Sequence, residues 1–159
     1  MSAVKSVLLA IDVATAKRDL AGKSLRRAQQ TYLFAQSQMS QLSVYATETE
    51  SRWIASAQTS TTPELMRHHY QFMDRLNHAI GLQRGVLEDA GRKVEVEKQL
   101  VLMAEFRVSS LKLVLKKKQA EIAIFQARRE QKQMDEFAIM RPRQTSESDM
   151  GGYFSGDRS

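Results

Sequence analysis

Residues 4–53 read VKSVLLAIDVATAKRDLAGKSLRRAQQTYLFAQSQMSQLSVYATETESRW, and the spacing of the apolar residues in this stretch decides the fold. From Val4 to Trp53, apolar side chains recur at alternating steps of three and four residues, with Arg18 and Thr49 as the exceptions. A seven-residue repeat keeps one stripe of an α-helix facing a neighbouring helix. The pattern therefore predicts a coiled-coil seam sustained over about seven heptads.

One heptad position of this first helix carries small side chains in four successive repeats. The four residues are Ala14, Ala21, Ala28 and Ala35. Small side chains in a seam let the partner helix approach toward the lower end of the usual interaxial range of about 8–10 Å. We therefore expect a partner helix to pack closely along this part of the chain.

A second seam follows after a short polar segment. It occupies residues 73–125 with the same spacing, and 13 of its 16 positions are apolar. Between the seams, Pro63 suits the first turn of a helix because the missing N–H of proline has no partner there. Either Thr61, paired with Glu64 in a capping box, or Thr62, as a simple N-cap, could start this helix, and the sequence leaves both open.

The two seams predict a hairpin. A single amphipathic helix leaves its seam exposed, and a short connection between two helices makes them antiparallel neighbours. We therefore predict an all-α fold, a long two-helix antiparallel coiled-coil hairpin over residues 1–142, with helix 1 over about 3–58 and helix 2 over about 63–140. Residues 143–159 are rich in Ser, Gly and Asp without periodicity, and we expect a disordered C-terminal tail there.

The symmetry of a hairpin predicts which residues face one another. With the turn near residues 58–61, the numbers of opposite residues add up to about 115–122. Leu42 then lies near Leu76 or Ile80. Because helix 2 is longer than helix 1 by about 20 residues, its C-terminal part is expected to project beyond the N-terminus of helix 1.

Positive charge is concentrated in that C-terminal part of helix 2. The chain carries a formal net charge of +6, and residues 107–143 alone hold 10 basic and 4 acidic residues. Such a run is either a solvated helix face or a contact for an acidic partner surface or a nucleic acid. Arg128, Arg129 and Lys132 lie within one helical turn of each other and are the basic residues that we single out.

No constellation in the sequence predicts catalysis. The chain has no Cys, which excludes disulfides and thiolate metal sites. The tetrapeptide Ala21–Ser24 is similar to the end of a P-loop, but Lys17 stands where that motif needs its first Gly. Glu64 and His68 supply only two potential metal ligands. We therefore predict a non-enzyme without cofactor or metal.

The sequence also bears on location. No stretch approaches the roughly 20 consecutive apolar residues of a membrane span. The absence of Cys is typical of a reducing cytosol. We expect a soluble, cytoplasmic protein.

Two motifs resemble the FliJ family, the stalk proteins of the flagellar type III export apparatus. Residues 129–138 read REQKQMDEFA and resemble the C-terminal signature of that family. Residues 70–73, which read YQFM, followed by Leu76, Ala79 and Ile80, are similar to a second family stretch. The resemblance covers most of residues 1–141.

The resemblance implies a function without chemistry of its own. Members of the family insert their coiled coil, terminal end first, into the hexameric ring of the export ATPase (FliI). They also contact the cytoplasmic domain of the export gate protein FlhA and the export chaperones. The resemblance thus implies a cytoplasmic protein that is peripheral at the inner membrane face of the flagellar basal body. Arg128, Arg129 and Lys132 are then the expected contact with the ATPase ring.

A gate-binding face is implied as well. The residues that match the family's gate-binding face are Gln38, Leu42, Tyr45, Phe72, Leu76 and Ala79. The seam register independently places Tyr45 and Phe72 on one flank and opposite each other, so the two aromatic rings should meet, partly exposed. Thr49 and Gln83 stand where the family carries Tyr and His.

Two alternatives remain from the sequence. One is the equivalent stalk of an injectisome type III secretion system, which shares the architecture, although the ending at residues 134–138 favours the flagellar version. The other is a generic coiled-coil scaffold or a nucleic-acid binder that uses the basic helix.

Overall fold

The computed structural model describes residues 2–141, which form two helices, α1 (Ser2–Ala57) and α2 (Pro63–Met140). The two helices have 56 and 78 residues, and the described part of the chain contains no strand. The prediction of an all-α, two-helix coiled-coil hairpin is confirmed. The tail predicted at residues 143–159, and with it the predicted domain boundary after residue 142, lies outside the described residues.

The connection between the helices is short and capped by Thr62. At the end of α1, the backbone N–H groups of Thr59 and Ser60 both donate to the carbonyl oxygen of Ser56, at 3.2 Å each. At the start of α2, the backbone N–H of Leu65 donates to Thr62 Oγ1 at 3.3 Å. Thr62 is therefore the N-cap of α2, and of the two starts that the sequence left open the simple cap is the one that forms.

Cross-helix contacts within residues 1–115 establish the antiparallel pairing. Gln83 contacts Ala35, Phe72 contacts Tyr45 and His69 stacks on Trp53, so positions on α2 fall as positions on α1 rise. All three pairs lie within the range predicted for opposite residues. The rings of Trp53 and His69, 4.4 Å apart and 8° from parallel, pack at the end of the hairpin next to the turn.

The core of the hairpin is a single line of small and branched side chains. Every predicted seam position of α1 is buried or half-buried. The buried side chains of the described residues are Ala14, Ala28, Ala35, Leu76, Ala90 and Val108. Because half of this core is alanine contributed by α1, α2 can approach α1 closely, as the repeat of small residues predicts.

The chain's contacts divide it into two units, residues 1–115 and residues 116–159. The first unit holds α1 and the part of α2 that pairs with it. In the second, the side chains from Ala123 to Met140 are all exposed. Phe125, predicted as the last seam position, is 67% exposed, because a seam residue is buried only where a second helix covers it.

Three glycines lie inside α2 without interrupting it. Gly81, Gly85 and Gly91 have no positive φ angle, so none of them serves a turn. A Cβ atom added at Gly81 or Gly85 would meet no atom within 4 Å. At Gly91 the added atom would lie 3.5 Å from the ring of Tyr32, which is ordinary van der Waals contact.

Candidate functional site

An aromatic pair on one flank of the hairpin is the centre of the candidate site. The ring centroids of Tyr45 on α1 and Phe72 on α2 lie 6.1 Å apart, and the planes meet at 83°, an edge-to-face contact. Tyr45 is 50% exposed and Phe72 is 38% exposed. The register brings both rings to the same flank because each occupies the position just before a seam residue, Ala46 on α1 and Met73 on α2.

A groove runs from this pair along the same flank. It has a volume of about 470 Å³ and is lined by Gln38, Gln41, Leu42, Tyr45 and Gln83. Three of these five residues belong to the face that the sequence predicts. The groove is open to solvent, so it can accept a protruding side chain of a partner rather than enclose a small ligand.

Gln83 fixes one wall of the groove. Its Nε2 atom donates to the backbone oxygen of Ala35 at 3.0 Å and to Gln38 Oε1 at 3.3 Å. These bonds tie α2 to α1 beside the aromatic pair and orient the side chain of Gln38. Gln41 and Gln83 are not among the six residues of the face predicted from sequence, although the resemblance marked position 83 as one where the family carries His. A polar residue at a seam position was a second signal for Gln83.

The six predicted gate-face residues fall into three classes of exposure. Gln38, Tyr45 and Phe72 are exposed, and Leu42 and Ala79 are half-buried. Leu76 is buried, with only 7% of its surface accessible, so it can support the face but can offer little contact area to a partner. The structure brings Tyr45 to Phe72 and lines one groove with Gln38, Leu42 and Tyr45.

The basic residues singled out on α2 are all exposed. Arg128, Arg129 and Lys132 lie in a stretch of α2 without a buried side chain, and among residues 2–141 none of them forms an ion pair. Arg128 and Lys132 are four residues apart and therefore share a face of the helix. Within the same stretch, Gln131 donates to Asp135 Oδ1 at 3.2 Å.

Comparison with known proteins adds the family. The family described as "Flagellar FliJ protein" matches residues 8–147, which is most of the chain. The chain belongs to the FliJ family. No curated protein and no solved structure matches it.

FliJ-family membership makes this chain a component of flagellar type III protein export. The family is a stalk component without catalytic activity, and its match spans the aromatic pair, the groove and the basic residues. Within residues 2–141, no helix is both long enough and apolar enough to cross a bilayer.

The other motifs of this FliJ-family chain are parts of helices. Ala21–Ser24, the stretch similar to a P-loop, lies inside α1, so its backbone N–H groups are used in the helix and cannot cradle a phosphate. The described residues contain no group of three or more metal-ligating side chains. On α2, a hydrogen bond from Arg92 to Asp89 raises the pKa of the guanidinium, and this exposed pair lies outside the groove.

Proposed function

We propose that this chain is the stalk of the flagellar type III export apparatus. It inserts into the hexameric ring of the export ATPase FliI and binds the cytoplasmic domain of the export gate protein FlhA, and it also contacts export chaperones. It works in the cytoplasm, at the inner membrane face of the flagellar basal body, and meets the membrane only through the gate. The observation that carries the proposal is the exposed edge-to-face pair of Tyr45 and Phe72 beside its groove.

Gate binding is supported by the chemistry of that pair. Exposed aromatic rings next to a groove are typical hot spots of protein interfaces, because they bury a large area and lose few rotamers on binding. Tyr45 and Phe72 already pack on each other in the free protein, so less side-chain entropy is lost when a partner binds. The amides of Gln38 and Gln41 at the groove can bond the backbone of a partner.

Ring contact is supported by the exposed charge of α2. A shaft inside a ring needs contacts that exchange as the ring changes shape. Exposed ion pairs suit this because each is worth only about 0–1 kcal/mol. Arg128, Arg129 and Lys132 offer three such contacts within one turn.

Replacing both aromatic residues tests the proposal. We expect Tyr45→Ala/Phe72→Ala to weaken binding to the purified cytoplasmic domain of FlhA by about 2–4 kcal/mol, or roughly 30- to 1,000-fold, measured by titration calorimetry. Binding to the FliI ring should be unchanged, because the proposed ring contact uses Arg128, Arg129 and Lys132, which this variant keeps.

A matched control removes two aromatic residues that are exposed elsewhere. Phe34→Ala/Phe106→Ala deletes equally large rings outside the groove and should leave gate binding within about twofold of the wild type. Circular dichroism verifies that both variants remain helical. Full affinity of the helical Tyr45→Ala/Phe72→Ala protein for the gate domain would overturn the proposed gate contact.

A further inference from the structure

A second groove lies on the same hairpin, near the start of α1. It has a volume of about 440 Å³, and its floor is formed by the small side chains of Ala14 and Ala104. Ala14 is only 5% exposed, whereas the groove walls Leu9 and Val13 are 65% and 50% exposed. A trough with an alanine floor and leucine-sized walls fits a ridge of side chains from another helix.

Two cations stand at this groove, one from each helix. Lys17 and Arg107 both line it, and each occupies the position just before a seam residue, Arg18 on α1 and Val108 on α2. In coiled coils, flanking positions commonly carry opposite charges that pair between the helices. Here the two charges have the same sign, and among residues 2–141 neither of them pairs with a carboxylate.

The apolar surface continues along α2 beyond the groove. Leu100 and Met103 lie four residues before the groove residues Ala104 and Arg107 and therefore share their face. Val96 extends the stripe by one more turn, and all three apolar side chains are exposed. Positions 96, 100, 103 and 107 follow the spacing of one helical face, so the stripe is apolar except for the cation.

We propose that this groove binds one amphipathic helix of a partner protein, with leucine-sized residues in the trough and carboxylates beside Lys17 and Arg107. The apolar walls favour an apolar ridge, and the two like charges, which form no ion pair among residues 2–141, favour acidic neighbours. A carboxylate between the two cations replaces a repulsion across the flank with two attractions. A second copy of this chain docked symmetrically on the groove would bring Lys17 and Arg107 against cations, which disfavours self-association here.

This surface is separate from the proposed gate face. Lys17 lies on the same flank as Tyr45, since both occupy the same heptad position, but 28 residues of helix, about 42 Å, separate them. The two grooves can therefore be occupied at the same time. The inference does not depend on the proposed gate and ring contacts.

The test uses the full chain and synthetic helical peptides of about 18 residues. One peptide carries Leu at positions i, i+4, i+7 and i+11 flanked by Glu, and the other carries Lys in place of each Glu. We expect the acidic peptide to bind the wild type, measured by fluorescence anisotropy, and Lys17→Glu/Arg107→Glu to weaken it at least about tenfold. The variant should instead prefer the basic peptide.

The matched control reverses two cations on another side of α1. Lys23→Glu/Arg26→Glu changes the net charge equally but lies outside this groove, and it should bind the acidic peptide within about twofold of the wild type. Should the double variant lose helicity, Lys17→Glu alone replaces it. That single change places opposite charges across the flank, so the melting temperature of the variant should be no lower than that of the wild type. Its affinity for the acidic peptide should still be reduced.

Several outcomes would overturn the inference. One is the absence of acidic-peptide binding to the wild type, and another is equal binding to Lys17→Glu/Arg107→Glu. If the wild type bound neither peptide but sedimented with phosphatidylglycerol vesicles, and Lys17→Glu/Arg107→Glu did not, the groove would instead bind a lipid surface. If the wild type formed a concentration-dependent dimer and Lys17→Glu/Arg107→Glu did not, the occupant of the groove would be a second copy of this chain. If Lys17→Glu/Arg107→Glu still binds the FlhA domain, any of these results would count against the groove alone and leave the proposed gate contact standing.

Discussion

At the scale of single residues, Gln83 links the stability of the hairpin to its candidate gate face. It occupies a seam position, where an apolar side chain would pack against α1. Instead, its amide donates to Ala35 and Gln38 and forms one wall of the groove. Polar residues at seam positions of coiled coils fix register at a cost in stability. We infer that Gln83 serves pairing register and the shape of the groove rather than maximal stability.

This interpretation predicts the effect of an apolar replacement. Gln83→Leu should raise the free energy of unfolding by about 1 kcal/mol, because the apolar area that leucine buries stabilises the hairpin by more than the net contribution of the lost hydrogen bonds. It should also weaken binding to the gate domain several-fold. Urea unfolding followed by circular dichroism measures the stability.

Gln71→Leu is the matched control for that prediction, since position 71 is exposed on the same helix. It should change the free energy of unfolding by less than about 0.5 kcal/mol. A Gln83→Leu protein that is less stable than the wild type would contradict the argument and show that the amide contributes more than burial would.

At the scale of secondary structure elements, α2 stays helical through three glycines that nothing in its packing requires. Glycine in a helix interior costs about 0.8–1.0 kcal/mol relative to alanine. Gly81 and Gly85 flank the seam residue Gln83 and face open space. Within the part of α2 that pairs with α1, the segment that holds these glycines is thus weakened by intrinsic propensity, and it should open more readily than its paired neighbours.

Alanine at these positions should therefore stabilise the protein. Gly81→Ala/Gly85→Ala should raise the free energy of unfolding by roughly 2 kcal/mol, because neither added methyl group meets another atom. Hydrogen exchange should slow most for the amides between residues 78 and 90. Gly22 in α1 also has no atom within 4 Å of an added Cβ, so Gly22→Ala measures the increase in the free energy of unfolding outside this segment. No gain from the double variant would show that the glycines relieve a strain.

At the scale of the whole molecule, three exposed surfaces carry different chemistry. The proposed gate face is aromatic and amide-rich, and the groove near the start of α1 is apolar with two cations. Residues 123–140 of α2 form an exposed stretch in which Arg128, Arg129 and Lys132 stand beside an equal number of acidic residues. The salt dependence of binding can therefore show which of these surfaces a partner contacts. Contacts of exposed charges weaken as ionic strength rises, whereas contacts of buried aromatic rings change little.

Reversal of the basic residues tests the ring contact. Arg128→Glu/Arg129→Glu/Lys132→Glu should weaken binding to the FliI hexamer and reduce the stimulation of its ATPase rate at least several-fold, because attraction becomes repulsion. For the wild type, the stimulation should fall as salt is raised. Affinity for the gate domain should stay unchanged.

The control for this prediction is Lys23→Glu/Arg26→Glu/Arg27→Glu, which changes the net charge by the same amount at a different place. It should keep most of the stimulation. Undiminished stimulation by the variant at residues 128–132 would exclude these side chains from the ring contact.

The sequence by itself determined the fold class and most of the pairing. The heptad spacing from Val4 to Trp53 and the second seam after Pro63 require two antiparallel helices, because each stripe is too apolar to leave in water. The same register placed Tyr45 beside Phe72, since a hairpin with a short turn permits only a narrow range of opposite positions. Local periodicity carries this information without any knowledge of side-chain conformation.

Only the tertiary structure decided which side chains are accessible and what forms the grooves. Register predicted that Phe72 would be partly exposed, but it could not show that Phe125 is exposed despite its seam position. Nor could it reveal the bonds of Gln83 or the meeting of Lys17 and Arg107 at one groove. The physical reason is that exposure and hydrogen bonding depend on side-chain packing between the helices, whereas the heptad pattern fixes only the direction in which each residue points.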